Sequence, residues 1–239
     1  RFSYALQINE DAYIKVPAET ATIRTREIRF KPAIKDDMLL MSYNDGTDTK
    51  FHVAVLYTGS FSGSDSWGRI AITDDTIRSA TDYFPLFDGD FWNIRWTTSA
   101  ANVNAVKVQK ASDYITGKVI HSGSTANVSE AINGGSGDIY IGGKLGTAAV
   151  DDKINLLSDT NVTTFSGSVQ EYREWTETIT DDTFNFHTLN PTSYVASSDP
   201  TASFDKLHRH LPLGTDLDAI DLSTNGTNVV SKHPASASR

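Results

Sequence analysis

Through the first 175 residues, apolar and polar positions alternate in short runs, and each run gives way to Gly, Asp, Asn or Ser after roughly ten residues. Neighbouring side chains on a strand point to opposite faces, so a run of this kind buries one face and wets the other. The rhythm predicts strands at 4–8, 13–16, 22–31, 38–43, 51–57 and 68–73, and again at 91–97, 105–109, 117–121, 138–141 and 166–175. Between them, Asn44-Asp45-Gly46, Asp88-Gly89 and Asn133-Gly134-Gly135 supply residues that tolerate positive φ, which favours antiparallel pairing. Helical periodicity is scarce. Thr180-Asp181-Asp182 could cap a short turn leading into Phe184 and Phe186. These features describe an all-β chain, a two-sheet antiparallel sandwich.

Composition narrows the function. The chain has 239 residues, 38% of them hydrophobic, with 11 Phe, 9 Tyr and 4 Trp, enough to bury one large core. With no cysteine there is no disulfide framework, thiolate nucleophile or cysteine zinc site. A formal charge of −9 sets the protein against general affinity for nucleic-acid backbones or anionic membranes. No run of 18 apolar residues is present, so membrane insertion by a helix is not expected. The chain opens on Arg1 without a signal-peptide pattern and closes in STNGTNVVSKHPASASR, which leads us to expect a piece of a longer polypeptide.

Several segments fall in an order that resembles laminin G-like domains of the concanavalin A-like lectin and glucanase superfamily. Tyr4-Ala5-Leu6 and Asp11-Ala12-Tyr13-Ile14-Lys15-Val16-Pro17 are similar to the family's opening pair of strands, and TIRTREIRFKP (22–32) to its first long strand. Leu39-Leu40-Met41-Ser42 with Asp45-Gly46, Phe87-Asp88-Gly89-Asp90-Phe91-Trp92 and Ile139-Tyr140-Ile141-Gly142-Gly143 continue the series, which closes on Phe165-Ser166-Gly167-Ser168-Val169-Gln170-Glu171. The resemblance covers residues 1–180 and implies a jelly-roll sandwich. Residues 181–239, with LHRHLPLG at 207–214, read as an extended C-terminal arm that could lie along the sandwich or a neighbouring subunit, and resemble segments of tailed-phage structural proteins. Glu174 stands where the family has an apolar residue. Buried, it would need a partner such as Arg173 or Arg95.

A retaining glycosidase needs two carboxylates about 5 to 5.5 Å apart on one face. Glu171, Glu174 and Glu177 are spaced by three, which alternates faces on a regular strand, so no catalytic residues are assigned. Paired acids such as Asp74-Asp75 and Asp151-Asp152 read as solvated turns. No cofactor is expected, with calcium the ion that relatives of this fold hold by loop carboxylates. Asp45 and Asp48 are the candidate ligands, and Asp88 with Asp90 form a second acidic turn. His208 and His210 would share a strand face but lack a third zinc ligand. Sugar rings stack on aromatics beside polar groups. The ligand-binding candidates are therefore Trp67 and Asp65 in GSFSGSDSWGR, read as a loop, and Tyr83 in TDYFPLF. Trp92 and Trp96, two apart, are assigned to the core. The sequons at Asn127, Asn161 and Asn225 matter only in a eukaryotic secretory route.

The reading that joins these features is a non-catalytic adhesion or carbohydrate-binding module of a larger virion or extracellular protein. Its partners would be other copies or other structural proteins, or cell-surface glycans. A purely structural decoration subunit whose arm and sheet face pack on partners is the alternative, and a glycoside hydrolase of the same fold the third.

Overall fold

A computed structural model describes residues 5–9, 12–18, 20–44, 49–61, 63–73, 77–111, 117–129, 137–143, 154–157, 160–198, 206–213 and 230–232. The alternating pattern forms strands from β1 (Leu6–Ile8) and β2 (Tyr13–Val16) onward. Longer strands follow in β3 (Thr25–Pro32), β4 (Met38–Asn44), β5 (Thr49–Phe61) and β6 (Ser64–Thr73), then the short β7 (Ile77–Ala80). The middle of the chain gives β8 (Trp92–Thr98), β9 (Val103–Ala111), β10 (Val119–Ser124), β11 (Val128–Ser129) and β12 (Asp138–Ile141). After β13 (Ile154–Leu157), β14 (Thr160–Thr164) and β15 (Gly167–Trp175) come the helix α1 (Asp181–Leu189), β16 (Leu207–Leu211) and β17 (Val230–Lys232).

The strands form two sheets. The first is ordered β1-β15-β3-β8-β9-β10, with β11 also on β9 and β16 also on β15. The second is ordered β17-β2-β12-β4-β5-β6-β7, and the β13–β14 hairpin joins it through a parallel contact of β14 with β4. Stacked, they make the predicted jelly-roll sandwich. Ile28, Phe30, Trp92, Ile94, Trp96, Val106 and Val108 project from the first sheet against Met41, Tyr43, Phe51, Val53, Ile70, Ile72 and Ile139 of the second. Each fully buried Ile or Phe contributes about 1.5–3 kcal/mol. Trp96 carries the contact across the layers, stacking on Phe51 at 5.3 Å while its indole N–H donates to Asn104 Oδ1 at 3.1 Å. Trp92 and Trp96 are thus core residues, as their spacing predicts.

The first sheet is covered on its other face as well. Trp175, Ile179, Phe184, Ala196 and Leu207 form a separate buried cluster there. Thr180 caps α1, its hydroxyl accepting the Thr183 N–H at 3.4 Å, and Asp181 and Asp182 occupy the positive end of the helix dipole. Asp181 also receives Arg95 and Lys107, each at 2.8 Å, so this acid pair begins a helix and fastens it to the sheet.

Of the residues described beyond 180, β16 and β17 join the two sheets. β16 pairs with residues 172–175 of β15, and β1 pairs with 167–169 of the same strand edge. The two short strands run the same way and meet end to end, Leu6 N–H donating to Leu213 O at 2.7 Å. Meanwhile β17 pairs with β2 at the edge of the second sheet.

Candidate functional site

Each carboxylate of FSGSVQEYREW meets a different set of partners. Val169 and Tyr172 both face the core because a bulge at Glu171, whose φ is +52°, shifts the register between Gln170 and Arg173. Glu174 therefore points inward, only 3% exposed. Its partners are not Arg173 or Arg95. Arg209 of β16 donates to it at 2.7 Å, the Tyr172 hydroxyl does so at 2.7 Å, and Arg26 lies 3.5 Å away with its guanidinium over Trp96. Burial and the adjacent Glu174 carboxylate push the Tyr172 phenol well above its usual pKa. The misfit residue is thus covered by the chain's own C-terminal segment.

Glu171 accepts from Arg173 at 3.0 Å and contacts His210 Nε2 at 2.8 Å. Glu177 accepts the Ser197 N–H at 2.6 Å. On the outer face, Glu27 meets His187 Nδ1 at 3.0 Å and the Trp175 indole N–H at 2.9 Å, with Arg173 at 3.8 Å. Burial works to raise the Glu27 pKa, but His187, Arg173 and Trp175 outweigh it and hold it below the ordinary carboxylate value. A small cleft beside Glu27, Arg29, Asn93, Glu171 and Phe184 opens onto this network. Its acids are engaged by fixed cations, an arrangement that positions a segment of chain.

The predicted binding residues occupy the other sheet. Trp67 and Asp65 lie on β6 rather than in a loop, because β5 and β6 extend their pairing as far as Phe61 and Ser64. Asp65, Trp67 and Arg69 fall on alternate positions of β6, opposite the inward-facing Ile70 and Ile72. Gly68, between them, admits the Phe84 backbone, with N–H to O distances of 2.8 Å in both directions. A Cβ there would meet Phe87 Cε2 at 2.6 Å and the Leu56 carbonyl. That bridge brings Tyr83 alongside, where the Arg69 guanidinium lies 5.4 Å from its ring centre. Tyr83 is 39% exposed and Trp67 half-buried.

Asp65 pairs with Lys35 at 2.5 Å, and the Lys35 hydrogen bond and charge hold its carboxyl below the usual pKa. Arg69, absent from the sequence-based candidates, sets its guanidinium against the Tyr83 ring and near enough to Asp37 for its charge to act on that carboxyl. Asp37, two residues past Lys35, accepts the Tyr57 N–H at 2.7 Å; burial raises its pKa. The result is a strand-borne surface of two aromatic rings, a guanidinium, an ammonium and carboxylates.

The acidic turn at Asp88 and Asp90 already holds a cation. Lys110 Nζ contacts both, at 2.5 and 2.6 Å, and although burial works to lower the Lys110 pKa these two carboxylates raise it. Asp45 and Asp48 lie outside the described residues. Among the described residues, no three His, Asp or Glu side chains converge as a metal set. His210 faces Glu171, within β16. No helix among the described residues is long and apolar enough to cross a membrane.

No protein-family model and no curated protein sequence matches the chain. Among solved structures it is similar to a native heptameric SAP-like pentraxin from Limulus polyphemus, with 15% identity, a TM-score of 0.50, and 96% of this chain and 90% of that chain covered. It is also similar to a protein of Bacteroides ovatus described as a candidate carbohydrate-binding protein, at 16% identity and a TM-score of 0.53. That match spans 97% of this chain but 58% of the other. The LG1-3 region of the laminin alpha2 chain overlaps at 17% identity and a TM-score of 0.43, over 72% of this chain and 31% of that one. At such identities the likeness is one of architecture alone, the two-sheet antiparallel sandwich.

Proposed function

We propose that the protein is a non-catalytic carbohydrate-binding module, and that the surface of Asp65, Trp67, Arg69 and Tyr83 is where it meets a glycan. The carrying observation is the Arg69 guanidinium over the exposed Tyr83 ring, next to Trp67 on the same strand face. A pyranose offers a CH face to a ring and hydroxyls to neighbouring donors and acceptors, and this surface supplies both from β6 and the adjoining Tyr83. The engagement of Glu27, Glu171 and Glu174 by fixed cations and indole supports binding over hydrolysis. The setting proposed with it is extracellular or virion-borne, within a larger protein, on the strength of the residue-level resemblances. Calcium at Asp45 and Asp48 belongs to the same proposal, and a melting temperature unmoved by chelator and by added calcium would remove it.

Trp67→Ala and Tyr83→Ala test the surface. Each is expected to lower glycan-array or isothermal-titration affinity about tenfold or more, the effect of one stacked ring or central aromatic contact. Retained binding in both variants, with melting unchanged, would reject this location.

A further inference from the structure

His187 is 2% exposed and sits where three pieces of chain converge. Its Nδ1 lies 3.0 Å from both carboxylate oxygens of Glu27 on β3, and its Nε2 lies 2.8 Å from the carbonyl oxygen of Val195. A carboxylate and a carbonyl both only accept, so each ring nitrogen must carry hydrogen for the two contacts to be made together. A neutral imidazole has one such hydrogen. The ring also stacks on Trp175 at 5.4 Å with 13° between planes, a geometry that favours a cation over the indole face.

We propose that His187 is a proton-dependent latch: as an imidazolium it fastens α1 and the 190–197 loop to β3, and loss of its proton releases both from the outer face of the first sheet. The surroundings bear this out group by group. Arg173 of β15 lies 3.8 Å from Glu27 and donates to the Pro191 carbonyl, so the guanidinium adds a second tie between sheet and loop. Glu171 of β15 neutralises Arg173 at 3.0 Å and faces His210 of β16 at 2.8 Å. Arg29 of β3 reaches Gln170 at 3.1 Å, and at the far end of α1 Asp181 is held by Arg95 of β8 and Lys107 of β9.

A deprotonated ring would leave either the buried Glu27 carboxylate or the Val195 carbonyl facing a lone pair, and buried acceptors without donors are costly. At low pH the carboxylate side of the latch fails instead, because Glu27 protonates. Seating of residues 181–197 therefore passes through a maximum in pH.

The test is long-range proton–nitrogen NMR of the histidine rings in the whole chain, run from about pH 5 to pH 9 alongside amide exchange of the same samples. At the acid end of that range both His187 ring nitrogens are expected to be protonated, with a single neutral tautomer there overturning the proposal. As the ring signal moves to neutral, amide protection across 181–197, corrected for intrinsic rate, is expected to fall about tenfold while β8 and β9 stay protected. Flat protection through that titration would equally overturn it. Glu27→Gln, which keeps the shape and removes the charge, is expected to shift the His187 ring toward its neutral form at the same pH; an unchanged imidazolium there would count against the latch.

Discussion

A carboxylate sealed in the interior between two arginines has its largest effect on stability when one of them is lost. Arg209→Ala is expected to destabilise the protein by about 3–5 kcal/mol, since Glu174 would be left buried with its best donor gone. Replacing Glu174 and Arg209 together by leucines is expected to cost less, because the carboxylate leaves with its main donor, the remaining cost being Arg26, which loses its anionic neighbour. Urea denaturation of the three proteins decides this, and a double variant as unstable as the single one would overturn it. Lys35→Ala, by contrast, is expected to leave the melting temperature unchanged, its pair with Asp65 being open to solvent. Glu174 was legible in the sequence as a misfit, but its partner was not. Arg209 stands 35 positions away in a stretch without apolar alternation, where no local pattern points back to β15.

Elements whose side chains alternate cleanly were readable to the residue. β2 and β12 match the predicted 13–16 and 138–141, their apolar positions facing the core and their polar ones facing out. Elements that bury charge were not. β16 reads LHRHL, where the inward arginine breaks the apolar rhythm; of α1, the Thr180 cap and the turn into Phe184 and Phe186 were legible, its full length was not, because the two phenylalanines are spaced as in a strand. The bulge at Glu171 is likewise invisible, since only tertiary pairing shows where a strand gains a residue. In the candidate site, aromatics and acid were legible as residue types, while the strand setting and Arg69 came from the extended β5–β6 hairpin.

The docking of α1 carries a pH signature of its own. Glu27 and Asp181 both have lowered folded-state pKa values, Glu27 through His187, Arg173 and Trp175 against its burial, and Asp181 through Lys107 and Arg95. The unfolded chain then binds more protons in acid, so this stability is fully present above the ordinary carboxylate range and is lost as pH falls through the folded values. Asp37 has the opposite sign: burial raises its pKa, and its contribution is lost as pH rises. Urea midpoints measured from about pH 6 down to pH 3 are expected to fall, and to fall less steeply in Glu27→Gln. Parallel slopes for the two proteins would contradict this assignment.

At the scale of the molecule, the sheets close only when distant parts of the chain are present together. Cutting the chain after residue 205 would strip Glu174 and Glu171 of Arg209 and His210 and bare the β15 edge. That fragment is expected to lose its cooperative thermal transition, as followed by near-ultraviolet circular dichroism, whereas a sharp melt within a few degrees of the whole chain would show the earlier strands to be self-sufficient.

The end-to-end meeting of β1 and β16 has a further consequence, in time rather than in energy. Leu6 pairs with Val169, and Lys15 with Val230, so these strands are made well before their neighbours. Until then β2 and β15 carry open edges that can recruit the wrong strand. Such long-range pairing is slow, and synthesis reaches β16 and β17 only after the strands they cover. These edges of the nascent chain therefore wait, unsealed, for β16 and β17, and its yield in the cell should respond to holdase chaperones more than to any single change in the core.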